Sequence, residues 1–231
     1  MKRILITGKD SYIGTSVEKW LLQTPDDYQV DTLDVRDDTW KDYDFSKYDV
    51  VFHVAGIVHQ KEKPGMKELY FKVNRDLPVE IAKKAKMSNI SQFIFMSTMS
   101  VYGKEGKLDQ DVIINLNTQV DPKNFYALSK VEAELELGKL NDSTFKVAIL
   151  RPPIVYGPDC PGNYSKLEKL AVQLPVFPLI ENKRSMLYID NLCQFVKEYI
   201  DSESFGLFLP QDIDYRSEEH TSELQSRHNL V

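Results

Sequence analysis

The sequence predicts an α/β protein built on a doubly wound parallel sheet, and three observations carry that prediction. Apolar runs alternate with segments of helical periodicity from the first residues to about residue 150. Among these runs residues 49–55 are apolar almost without interruption, as strands covered on both faces are. The first of the runs ends in a glycine-containing turn that opens straight into a helix. Parallel strands joined by right-handed helical crossovers produce this rhythm.

Taken in order, residues 3–7 read as the first strand, and Ile13, Val17, Trp20 and Leu21 follow at helical spacing. Residues 28–35 and 49–55 read as the next two strands. A helix from about 69 to 85 precedes a strand at 92–97, and a helix from about 125 to 140 precedes a strand at 146–150. From Gly157 the rhythm breaks, because Pro158, Pro161, Pro175 and Pro178 punctuate shorter elements. That predicts a capping region rather than more sheet. Leu167, Leu170, Ala171 and Leu174 form a stripe that reads as helix core. The expected division is 1–157 and 158–215, the second interleaved with the first, followed by a tail over 216–231. The tail is polar, lacks both periodicities and resembles translated sequencing-adapter sequence joined to a broken reading frame. It is expected to be non-native or disordered.

A chain of 231 residues buries a substantial core without covalent staples. No apolar run approaches the ~20 residues of a membrane span, and the stretch after Met1-Lys2-Arg3 is too short for a signal peptide. Cys160 and Cys193 lie far apart without metal spacing, which suits free thiols in a reducing cytoplasm. The net charge of -6 argues against nucleic acid as a partner. His53 and His59 flank the third strand without acidic or cysteine companions, so His53 reads as a packed core residue and no metal is expected.

Thr7-Gly8-Lys9-Asp10-Ser11-Tyr12-Ile13-Gly14 lies at the first strand-to-helix turn, where a dinucleotide loop belongs. Gly8 permits the tight turn and Gly14 lets helix and sheet approach. The helix opening at Tyr12 and Ile13 offers N–H groups and a positive dipole to a pyrophosphate. Ser11 stands where a glycine usually brings the backbone to the phosphates, and offers its hydroxyl as a donor instead. Asp34 closes the second strand, 20 residues beyond Gly14, at the spacing of a carboxylate that binds the adenosine ribose. A 2′-phosphate would meet Asp34 as a like charge. That favours NAD over NADP, with Lys9 and Arg36 as partial counterweights.

Tyr126 and Lys130 stand at i and i+4, on one face of one helix. A lysine cation beside a phenol is expected to lower its pKa, so that the tyrosine exchanges a proton near neutrality while the lysine also holds the nicotinamide ribose. The preceding strand ends in Ser97-Thr98-Met99-Ser100, which can bring a hydroxyl to the phenol.

The glycine loop, residues 49–56, Val73-Asn74, residues 97–103, Tyr126 with Lys130, and residues 151–158 together resemble the extended short-chain dehydrogenase/reductases. The resemblance is strongest to the NAD-dependent epimerase/dehydratase group that works on sugar nucleotides, and it spans roughly residues 1–215. It implies a Rossmann-like fold with NAD as cofactor and a nucleotide sugar as substrate. Tyr126 would be the general base or acid, Lys130 its electrostatic partner, and Thr98 the hydroxyl bridging substrate oxygen and phenol. Val35, Ala55, Gly56, Ile57, Asn74, Ser97, Pro153 and Val155 would lie at the cofactor, and Ser100 beside the substrate. Asn163 and Tyr164 resemble a segment that contacts the nucleotide. Arg184 resembles an arginine that grips the diphosphate. A homodimer formed through helices is implied in the same way.

Met99-Ser100 occupies the place of an Asp-Glu pair usual in dehydratases. Neither side chain supplies the acid or base that elimination of water needs, so 4-epimerisation or reduction of a 4-keto sugar is expected before 4,6-dehydration. The chain departs from the family pattern between residues 34 and 49, where two strand–helix units are merged. It departs again at the end, where relatives continue well past residue 215 and a truncated substrate region is expected. Two rival functions fit the same loop. One is a reductase of a small carbonyl compound, for which Arg184 is immaterial. The other is a non-catalytic dinucleotide-binding redox sensor, which has no need of Tyr126, Lys130 and Thr98.

Overall fold

A computed structural model describes residues 1–58, 64–104, 112–161 and 185–212. In chain order it forms β1 (Lys2–Thr7), α1 (Tyr12–Leu21), β2 (Tyr28–Leu33), β3 (Val50–His53), α2 (Lys67–Phe71), α3 (Leu77–Met87), β4 (Gln92–Met96), α4 (Phe125–Gly138) and β5 (Lys146–Leu150). There follow β6 (Ile154–Tyr156), β7 (Met186–Tyr188), α5 (Ile189–Ser202) and β8 (Gly206–Phe208). Among the described residues one parallel sheet runs in the order β2-β1-β3-β4-β5-β8, and β6 pairs with β7 in a separate parallel ladder.

Alternation along the strands makes the two layers. Ile4, Ile6, Phe52, Ile94 and Met96 pack with Val17 and Leu21 of α1 and with Leu192, Cys193 and Val196 of α5. Leu5, Val51, Phe93 and Phe95 pack with Ile81 and Ala85 of α3 and Ala133 and Leu137 of α4. Both faces are thus covered, which is why the central strands β3 and β4 are buried along their whole length. From β1 the chain steps to β2 on one side and then crosses to β3 on the other. The crevice beyond the ends of β1 and β3 is the switch point at which such sheets bind ligands.

The predicted doubly wound sheet is the one observed, and the helix expected over 69–85 is instead α2 and α3 joined by a π-helical turn, Lys72–Asp76. Between β2 and β3 the described residues hold a 3-10 turn, Asp38–Asp42, and no α-helix, in keeping with the merged units. The region after Gly157 is more than a cap. β8 pairs with β5 and extends the main sheet, with α5 packed against α1. The run Gly206-Leu207-Phe208 is too short to register as a period. The stripe at 167–174 and the tail over 216–231 lie outside the described residues. No described helix is long and apolar enough to cross a membrane.

Candidate active site

The glycine turn sits at the switch point. Gly8 adopts φ +121, and a β-carbon there would fall 2.8 Å from the Ala55 nitrogen, so the β1 turn packs directly on the end of β3. The Gly8 and Lys9 N–H groups donate to the Leu33 carbonyl at 3.1 and 3.3 Å, which ties the loop to the strand that presents Asp34. Ser11 is the N-cap of α1, with its Oγ accepting from the Gly14 N–H at 3.1 Å. The serine therefore works on the helix end itself. The Tyr12 and Ile13 N–H groups remain without an intrahelical acceptor, and no acidic residue stands in the first turn to neutralise the dipole. Tyr12 and Ile13 turn their side chains toward the core, and burial pushes the Tyr12 phenol up to about 12.

Asp34 is half-exposed and takes the Arg36 N–H, Nε and guanidinium in a fork, which holds its carboxyl down at about 2. The side chain of its neighbour Val35 is 6% exposed and packs with Trp40 in the α3/α4 core.

Across the crevice, Asn74 is fully buried and clasps Ile57. Its Oδ1 accepts from the Ile57 N–H at 2.9 Å and its Nδ2 donates to the Ile57 carbonyl at 3.0 Å. The π-helical turn that carries Asn74 is a common device for aiming a side chain at a site. Gly56 leaves bare backbone here: a β-carbon on it would lie 3.0 Å from Asn74 Oδ1 and 3.5 Å from Lys130 Nζ. A glycine turn at an open helix end, an acid closing β2 and a bare-backbone floor beside an ammonium together fit a dinucleotide.

The catalytic candidates come together at the end of β4. Asn124 caps α4 through the Ala127 N–H at 2.8 Å, so Tyr126 enters in the first turn and Lys130 follows one turn on. Thr98 hydrogen-bonds to the Tyr126 phenol, and the Tyr70 ring lies edge-on to the Tyr126 ring. Ser100 accepts from the Thr98 hydroxyl at 3.1 Å and returns its N–H to it at 3.1 Å. Lys130 is buried, donates to the Met96 carbonyl at 2.8 Å and sits over the Phe95 ring. Burial brings its ammonium down to about 8, against the pull of Glu134. The phenol does not behave as expected from its neighbour, because burial pushes Tyr126 up to about 12 and the Thr98 hydrogen bond recovers only part of that. With Lys130 turned to Met96, desolvation governs.

The Ser97 hydroxyl is buried and donates to the Glu134 carboxylate. Glu134 in turn receives the Arg151 guanidinium, with Nε at 3.0 and 3.2 Å, while Arg151 Nη1 donates to the Tyr102 hydroxyl at 2.8 Å. Sequence reasoning missed Glu134 and Arg151. The signal available was a carboxylate one turn beyond Lys130 on the same helix face. Pro153 and Val155 lie half-buried at and beyond the end of β5, and Asn163, Tyr164 and Arg184 lie outside the described residues. His53 is fully buried between Phe93 and Phe95, shares a 2.7 Å hydrogen bond with Thr7 and is held neutral by burial, its pKa down to about 3. Both cysteines are free and buried, and no described cluster suits a metal.

A switch point flanked by a glycine turn and a buried phenol–ammonium pair is the arrangement of an extended short-chain dehydrogenase/reductase. Residues 4–204 match the model of the NAD dependent epimerase/dehydratase family, and the chain belongs to that family of enzymes. It is 34% identical over 225 residues to the UDP-glucose 4-epimerase of Vibrio cholerae, covering 87% of this chain and 67% of that one. The fold is shared with the UDP-glucuronic acid 4-epimerase of Bacillus cereus in complex with NAD, at a TM-score of 0.75 and 20% identity over 92% of this chain and 79% of that one. It is also shared with the dTDP-4-dehydrorhamnose reductase of Bacillus anthracis in complex with NADP, at 0.69 and 17% over 93% and 76%.

Proposed function

We propose that the protein is an NAD-dependent 4-epimerase of a UDP-sugar, with reduction of a 4-keto nucleotide sugar as the nearest relative of that chemistry. The observation that carries the reading is the contact of Thr98 with Tyr126 one helical turn from Lys130, at the switch point of the sheet. The similarity to a UDP-glucose 4-epimerase favours epimerisation among the alternatives. Met99 and Ser100 argue against dehydration, because Ser100 is engaged with Thr98 and Met99 has no ionisable group.

The dinucleotide, when bound, supplies the hydride acceptor and donor. Gly8, Ser11 and the open end of α1 would receive its pyrophosphate, and Asp34 its adenosine ribose once Arg36 yields a carboxylate oxygen. Asn74 holds the Ile57 backbone and so fixes the glycine floor at Gly56. Thr98 and Tyr126 would grip a sugar hydroxyl, Tyr126 moving the proton at its phenolic oxygen. With its pKa near 12 the phenol is a proton donor at neutral pH. Service as a base requires Lys130 to turn its cation from the Met96 carbonyl toward the phenol. We place Arg184 at the substrate diphosphate.

The test pairs fluorescence titration with NADH and NADPH with an assay that interconverts UDP-glucose and its 4-epimer. Tyr126→Phe should cut turnover by about 10²–10⁴-fold and leave NADH affinity in place. Arg184→Ala should weaken UDP binding. NADH binding without turnover on UDP-glucose, UDP-N-acetylglucosamine or a 4-keto analogue would overturn the substrate assignment and favour the sensor. A UDP affinity indifferent to Arg184 would favour a small carbonyl substrate.

A further inference from the structure

Two bonds, one helical turn apart, fasten α4 to the last residue of β4 and the one after it. Lys130 Nζ donates to the Met96 carbonyl at 2.8 Å, and Glu134 accepts from the hydroxyl of Ser97. The residue next in line is Thr98. Glu134 is itself fixed from a third element by the Arg151 guanidinium, which is braced on Tyr102. The same end of β5 reaches the segment through its backbone: Ser97 N–H donates to the Leu150 carbonyl at 2.7 Å, and Met99 N–H to the Pro152 carbonyl at 2.9 Å. Thr98 is therefore held on both sides, while its own side chain stays free for Tyr126 and Ser100.

A buried ion pair contributes little net stability, since desolvation of both charges offsets their attraction. Glu134 and Arg151 are 6% and 9% exposed at the side chain, so stability is a poor account of their presence. Their geometry supplies a better one, because the shared carboxylate joins α4, the β4 end and the β5 end at a single point. We propose that Glu134 is a positioning residue, whose carboxylate holds Ser97 against α4 and so sets Thr98 opposite Tyr126. The catalytic consequence rests on the reading of Thr98 and Tyr126 given above, whereas the clamp itself does not.

Ser97→Ala tests this with the least collateral change, because it removes the hydroxyl that reaches Glu134 and leaves the ion pair intact. Amide hydrogen exchange on the full chain is the readout. Exchange at Met99 and Ser100 should quicken about tenfold, while amides of β1 and β3 keep wild-type rates. Ser97→Thr should restore slow exchange, and Glu134→Asp, which withdraws the carboxylate by one methylene, should reproduce the local loss. A uniform loss across β1, β3 and β4, or no loss at Met99 and Ser100, would overturn the clamp. In the epimerase assay Ser97→Ala should lower kcat about tenfold with KM unchanged, and an unchanged kcat overturns the positioning role. A raised Kd for NADH in Ser97→Ala but not in Glu134→Asp would instead assign Ser97 to the cofactor. Wild-type protein that shows the exchange pattern yet no turnover refutes the proposed reaction and leaves the clamp standing.

Discussion

The two ends of the parallel sheet carry their charges under opposite conditions. At the N-terminal ends, Lys146 and Glu203 pair at 2.9 Å with side chains 33% and 45% exposed. At the C-terminal ends, Glu134 and Arg151 pair almost out of reach of solvent, beside a buried Lys130 and a buried neutral His53. Water screens the first pair and tolerates its loss. The second has only its own partners to satisfy it. Burial thus decides what each pair does, and the dry end is the one that faces the switch point.

Removal of one member of the dry pair is the severest way to test this contrast. Arg151→Leu leaves the Glu134 carboxylate buried with Ser97 alone, and should lower unfolding free energy by about 3–5 kcal/mol in urea. A loss under about 1 kcal/mol would mean that the C-terminal end is as wet as the other.

Glycines sharpen the comparison next. Gly8 and Gly206 both hold positive φ, +121 and +104, one at the end of β1 and the other at the start of β8. A β-carbon on Gly206 meets nothing within 4 Å, whereas one on Gly8 meets the Ala55 nitrogen at 2.8 Å and Val54 at 2.9 Å. Both alanine variants store backbone strain of about 1–3 kcal/mol, and only Gly8→Ala adds a clash. Gly8→Ala should therefore have the lower melting temperature of the two and should also lose NADH binding. Equal melting temperatures would show that the β1 turn has room to spread.

The same division explains what was legible in the sequence. β1, β3, β4 and β5 were readable because each is centred on an apolar run, and the meeting of Thr98, Tyr126 and Lys130 at the end of β4 was readable because Tyr126 and Lys130 share a helix face and Thr98 follows the strand before it. β8 was not, since three residues carry no period. Glu134 and Arg151 were not, because a charge on a helix face or at a strand end ordinarily points to water and only tertiary packing turned these inward. The inward turn of the Val35 and Ser97 side chains was hidden for a related reason. Position next to a site residue does not say which way a side chain points, and in a strand end it alternates.

His53 offers a pH test of how dry the C-terminal end is. Its folded pKa of about 3 lies below the ordinary histidine value, so the unfolded chain binds a proton that the folded one refuses. The stability this contributes is full above about pH 6.5 and is lost as pH falls toward 3. Urea midpoints should therefore decline over that window, and His53→Phe should flatten the decline by up to ~1.4 kcal/mol per pH unit. An unchanged slope would mean that water reaches the ring.

The smallest effect belongs to the wet end. Lys146→Ala removes the ammonium that Glu203 meets at the start of β5. Because both groups keep solvent contact and Lys2 lies 3.9 Å from the same carboxylate, the change should stay within about 1 kcal/mol. It should also fade in ~1 M salt, where the screening length shrinks to about 3 Å. The Arg151→Leu loss should hardly respond to salt, since mobile ions do not enter where water does not. Two charge deletions at opposite ends of one strand would then differ both in size and in salt response. A Lys146 effect that persisted in salt would place the distinction in side-chain packing rather than in exposure of the pair.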